Sequence, residues 1–152
     1  EGTSKWEALK DADIVIEAVF EDLKVKTDVF ARLDAVCRKD AVLATNTSAL
    51  SVTEIAAALA DPSRMVGMHF FNPAPAMSLV EIVRAITSSD ETIAECKAFA
   101  EACGKGPVEV KDQAGAVTTW VLETFPIMLG VPVLIAPARA INIWPPFSKC
   151  LM

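Results

Sequence analysis

With 152 residues, 53% hydrophobic and 22% charged, the chain is long enough for one domain with a real core. Its net charge of −6 and pI near 4.8 argue against a surface for nucleic acid or anionic membrane. Four cysteines, Cys37, Cys96, Cys103 and Cys150, show no CxxC or metal spacing. They read as reduced intracellular thiols, with Cys96 and Cys103 on one buried helix face. Residues 1–10, EGTSKWEALK, hold neither an apolar signal segment nor an initiator Met, so the chain is expected to be a piece of a longer protein.

Residues 13–19, DIVIEAV, are β-branched and apolar between charged flanks, which predicts a strand buried on both faces. In the next segment, EDLKVKTDVFARLDAVCRKD, Val25, Val29, Leu33 and Val36 recur at helical spacing and predict the inward stripe of an amphipathic helix. AVLAT, 41–45, predicts a second buried strand, closed by polar Asn46, Thr47 and Ser48. SVTE, 51–54, is a capping box that opens a helix over SVTEIAAALA. Residues 64–71 and 79–85 predict the third and fourth strands. The Pro-rich link between them is too brief for a helical crossover, so they should pair antiparallel. Ser88, Ser89 and Asp90 are cap candidates for the helix ETIAECKAFAEACG, which Gly104 stops, and PVEVK, 107–111, predicts a fifth strand.

This alternation predicts an α/β fold, an open doubly wound sheet that is mostly parallel with antiparallel strands at its C-terminal edge. Ligands of such sheets sit outside the carboxyl ends of the strands. The polar residues after DIVIEAV, after AVLAT and within HFFNP gather at those ends. Composition changes near residue 114, dividing the chain into 1–113 and an apolar tail, 114–152. That tail has three charged residues, Glu123, Arg139 and Lys149, and five of the nine prolines. Its run PIMLGVPVLIAPARAINIW is broken by Pro and Gly, and its uninterrupted parts fall short of the roughly 20 residues of a membrane span.

His69 is the only histidine. Alternation along GMHFF puts Gly67, His69 and Phe71 on one face. Glu81, on the neighbouring strand, points away from Val80 and Ile82, and an antiparallel pair can bring the two side chains together. A carboxylate on one ring nitrogen fixes the tautomer and makes the other nitrogen a base. The alternative is a core imidazole bonded to a backbone carbonyl. Asn46, Thr47 and Ser48 either hold a ligand's oxygens or satisfy the strand end. Glu21 and Lys26 read as a solvated helix start. Glu17, inside an apolar strand, is costly unless paired.

In this order and spacing, IVIEAVFEDLKVK, ATNTSAL, GMHFFNPAPAMSLVEIV and GKGPVEVKDQAG resemble the 3-hydroxyacyl-CoA dehydrogenase family across about residues 7–115. The PAPAM turn is similar to the short-chain, 3-hydroxybutyryl-CoA type. The resemblance implies a Rossmann-like domain, NAD as cofactor, an acyl-CoA substrate and oxidation of a 3-hydroxyacyl-CoA to a 3-ketoacyl-CoA. It implies His69 as the base, Glu81 as its orienting partner, and Ser48 on the substrate oxygen. It also implies Glu21, Lys26, Asn46 and Asn72 on the cofactor side, and a cytoplasmic or mitochondrial-matrix location. Full-length members form homodimers through a helical domain. An L-gulonate-type dehydrogenase and a non-catalytic remnant are the alternatives.

Two departures stand out. The family's GxGxxG turn, which cradles pyrophosphate at a helix N-terminus, does not occur in these residues. After KDQAG, where the family continues PGF-x-x-NR, the active-site Asn and the Arg are replaced by Thr119 and Trp120. The chain alone is therefore expected to be weak or inactive. Residues from about 116 are expected to be a frameshifted or fused end. Translating the encoding DNA in its other two frames should restore a PGF-x-x-NR continuation; its absence from both would rule out a frameshift.

Overall fold

Short β-branched runs alternating with capped amphipathic segments form a single mixed sheet covered on both faces. A computed structural model describes residues 4–112. The strands are β1 (Ile14–Glu17), β2 (Val42–Thr45), β3 (Met65–Phe70), β4 (Leu79–Arg84) and β5 (Gly106–Lys111), in the spatial order 1-2-3-4-5. β1, β2 and β3 are parallel, β4 is antiparallel to β3, and β5 is parallel to β4. This is the expected Rossmann-like α/β arrangement.

The helices are α1 (Leu23–Val36), α2 (Val52–Ala56) and α3 (Asp90–Ala102). On one face Phe30 and Leu33 of α1 and Val52 and Ile55 of α2 pack with Val15, Leu43, Met65 and Val83 of the sheet. On the other, Ile93, Cys96 and Ala100 of α3 pack with Ile16, Val66, Met68 and Ile82. Burial on both faces explains why β1 and β2 read as continuous apolar runs.

Three local expectations are corrected. The inward stripe of α1 is Lys26, Phe30, Leu33 and Cys37, not the valines: Val25 is 39% exposed, and Val29 and Val36 are partly buried. The stripe turned because it contains a lysine that hydrophobic periodicity does not count. α2 stops at Ala56. Ala58 N and Leu59 N bond back to Ile55 O and Ala56 O, tightening the chain into turns that bury Leu59. Cys103 is the half-buried C-cap of α3 and does not share the fully buried position of Cys96. Burial and then Glu95 push the Cys96 thiol up to about 12, so it is inert.

The caps show how sequence and tertiary structure divide the work. Asp22 accepts from Val25 N to start α1, and Ser89 accepts from Thr92 N to start α3. Ser51 accepts from Glu54 N at 3.2 Å. The remaining donors of α2 go to Asp112, whose carboxylate takes Ser51 Oγ at 2.9 Å, Val52 N at 3.1 Å and Thr53 N at 2.7 Å. The predicted tail, 114–152, with Thr119, Trp120 and Cys150, lies outside the described residues. Among the described residues no helix is long and apolar enough to cross a membrane, and no cluster of three or more His, Cys, Asp or Glu side chains could hold a metal ion.

Gly67 sits where β3 faces α2 and Val83. A Cβ there would lie 2.7 Å from Val83 Cβ and 2.9 Å from Val52 Cγ2. Gly67→Ala is expected to overpack this junction and cost roughly 1–3 kcal/mol in urea denaturation, whereas an unchanged midpoint would show that the helix gives way freely.

Candidate active site

The parallel β1, β2 and β3 bring their carboxyl ends to one edge of the sheet, and the antiparallel β4 brings its first residues there too. Two polar clusters form along this edge, both on the face covered by α1 and α2.

The first follows from strand register. His69 and Glu81 are direct cross-strand partners. His69 Nδ1 lies 2.7 Å from Glu81 Oε2, and Glu81 is fully buried. A carboxylate only accepts, so Nδ1 is the donor of this bond, and Nε2 is the ring nitrogen that the bond leaves open. Phe71 packs against the imidazole at 4.6 Å between centroids. The ring is thus held by a bond and an apolar contact while His69 keeps 8% exposure. This geometry replaces the alternative of a histidine bonded to a backbone carbonyl.

The second cluster surrounds a buried ion pair. Lys26 is 0% exposed, and its Nζ donates to Glu17 Oε1 at 2.9 Å and Oε2 at 3.0 Å. Thr45 Oγ1 donates to the same carboxylate at 2.7 Å, and Val19 N donates to its other oxygen at 2.5 Å. The expected solvated helix start is therefore wrong for Lys26, and Glu17 has the partner its burial demanded. Lys26 Nζ also donates to Asn46 O at 3.3 Å and lies 3.8 Å from Glu21 Oε2.

Asn46 links the two clusters. Its backbone N donates to Glu17 O at 2.7 Å, and its Oδ1 accepts from Phe70 N at 3.2 Å. That N–H fixes the amide orientation, leaving the Asn46 NH2 as what it can offer a ligand. Glu21, just ahead of α1, receives the Thr47 hydroxyl, Ser48 N at 3.0 Å and Ala49 N at 3.1 Å on one oxygen. Burial pushes the Glu21 carboxyl up. The Thr47 and Ala49 hydrogen bonds, the Lys26 charge and the Ser48 amide outweigh it and hold the group below its ordinary 4.5. Ser48 is exposed, and its hydroxyl makes no hydrogen bond among the described residues. Asn72 is exposed on the turn after β3. The fold thus joins His69 to Glu81, and Glu21 and Lys26 to the Asn46–Thr47–Ser48 segment. Ser48 and Asn72 make no hydrogen bond to His69.

Residues 1–113 match the family described as 3-hydroxyacyl-CoA dehydrogenase, NAD binding domain. The chain belongs to this family. It is 48% identical over 116 residues to a probable 3-hydroxybutyryl-CoA dehydrogenase of Bacillus subtilis, covering 76% of this chain and 40% of that protein. It is 44% identical over 120 residues to the 3-hydroxybutyryl-CoA dehydrogenase of Clostridioides difficile, covering 79% and 43%. The crystal structure of (S)-3-hydroxybutyryl-CoA dehydrogenase from Ralstonia eutropha superimposes with a TM-score of 0.78 at 38% identity, over 80% of this chain and 43% of that one. The chain spans less than half the length of these relatives.

Within this 3-hydroxyacyl-CoA dehydrogenase domain, the residue that sequence reasoning left without a partner is Glu17. Its one signal was a carboxylate inside an apolar strand. Nothing local pointed to Lys26, because a lysine on a helix reads as solvated. Lys26→Met should strand the buried Glu17 carboxylate and cost about 3–5 kcal/mol. Glu17→Gln combined with Lys26→Met should recover much of that loss. A double-mutant cycle by chemical denaturation checks this, and strictly additive losses would refute the pairing.

Proposed function

We propose that this chain carries the acid/base centre and the nicotinamide-side contacts of an NAD-dependent dehydrogenase that interconverts (S)-3-hydroxyacyl-CoA and 3-ketoacyl-CoA, with a short acyl chain. The 2.7 Å His69–Glu81 bond at the carboxyl edge of the sheet carries this reading. With Nδ1 committed to Glu81, Nε2 takes the proton of the substrate's 3-hydroxyl. The buried Glu81 carboxylate offsets the positive charge that then forms on the ring. Ser48 offers an exposed hydroxyl to the substrate oxygen.

The residues present fit one part of the dinucleotide. Asn46 has an amide NH2 to give, Glu21 is an ionised acceptor beside the exposed Ser48, and Asn72 lies next along the same edge. These three, with the Lys26 charge behind them, would hold the nicotinamide and its ribose. No GxGxxG occurs in the 152 residues, so they do not carry that glycine-rich turn for the pyrophosphate. NAD, when bound, supplies the hydride acceptor.

The test is acetoacetyl-CoA reduction at the expense of NADH. It is run on the 152-residue chain, where a weak rate or none is expected. It is also run on a version completed with the parts of the Bacillus subtilis relative that flank the 116 matched residues. In the completed protein His69→Gln should lower kcat by about 10²–10⁴, Glu81→Gln should lower it less, and gulonate should give no rate. Undiminished turnover in His69→Gln would overturn the assignment of the base.

A further inference from the structure

The His69–Glu81 pair is joined by a turn, and that turn is held from outside by a corner of the fold with no assigned role. α3 ends where Gly104 takes a φ of +73°, a conformation that L side chains rarely adopt. Gly104 N donates to Glu101 O and Lys105 N to Ala100 O, both at 2.9 Å, which is the Schellman arrangement. Gly106 N then donates to Ser78 O at 2.6 Å, fastening the start of β5 to the residue just before β4. The Lys105 backbone is therefore fixed from both sides.

The Lys105 side chain crosses to the turn between β3 and β4. Its ammonium donates to the carbonyls of Ala74 and Met77, each at 2.6 Å. Among the described residues these two carbonyls are its hydrogen-bond partners. The turn is closed internally by Ala76 N and Met77 N, which donate to Pro73 O at 2.9 and 3.1 Å. A cation on two carbonyls of one turn makes charge-assisted bonds and orders two peptide units together. The ends of this turn run directly into the strand residues that carry His69 and Glu81, so its movement shifts one strand end against the other.

We propose that Lys105 is a positioning residue for the His69–Glu81 pair, bracing from outside the turn that joins their strands. The inference rests on the acid/base reading of that pair, and the test separates the two. Because His69 is the only histidine, isotope-labelled histidine in the full 152-residue chain gives a single imidazole N–H signal. Amide hydrogen exchange at Ala76 and Met77 reports the turn itself.

In Lys105→Met, exchange at Ala76 and Met77 should rise at least about tenfold, and the His69 N–H signal should shift or broaden. The β2 and β3 amides should keep their protection, which shows that the fold stands. Lys105→Arg should restore both readouts. Lys97→Met removes a surface charge paired to Glu109 and should move neither. Gly104→Ala, which disturbs the launch of Lys105 without removing it, should act in the same direction. An unchanged His69 signal in Lys105→Met, whether or not the turn exchanges faster, would overturn the proposal. A His69 signal indifferent to Glu81→Gln would instead defeat the pair's assignment, while turn exchange would still report on the brace.

Discussion

The site depends on one register. His69 faces Glu81 across an antiparallel pair, and a slip of a single residue would send the carboxylate to the opposite face of the sheet. Both faces oppose that slip. Met68 pairs with Ile82 and Phe70 with Val80, and Met68, Ile82 and Val80 are buried on the side of α3. On the other side Gly67 lies opposite Val83, where the missing Cβ makes room for the valine and for Val52 of α2. The packing that builds the core therefore also places the acid/base pair.

The edge of the sheet carries two deeply buried carboxylates, and each has a cationic or protonatable partner. Glu81 has His69, and Glu17 has Lys26 with Thr45. An unpaired buried carboxylate costs several kcal/mol, so neither group tolerates loss of its partner. By contrast, the exposed pairs Lys24–Asp28 and Arg38–Asp40 contribute little to stability. Of these ion pairs, the ones that matter to the fold are those the solvent barely reaches. They connect through Asn46, whose backbone carbonyl faces Lys26 and whose side chain holds Phe70 N beside His69.

Much of this was legible along the chain. The five strands, the antiparallel turn and the shared face of His69 and Glu81 follow from periodicity and from a link too short for a helix. The α1 stripe was misread because periodicity weighs hydrophobicity, and the inward position nearest the site is Lys26. The length of α2 was overestimated because AAALA favours helix while the burial of Leu59 favours a tighter turn. Glu17 was flagged as costly, but its partner lay on the next element.

The order of elements, the α/β class and the parity that puts His69 and Glu81 on the same face belong to the sequence alone. They rest on alternation, caps and loop length, all properties of neighbouring residues. Tertiary structure alone decided which distant groups meet. Lys26 reaches Glu17 across 9 residues, Lys105 reaches Ala74 across 31, and Asp112 reaches Val52 N across 60. These contacts form only once the sheet has set the distances between elements. A charged side chain has no periodic signature that names its partner.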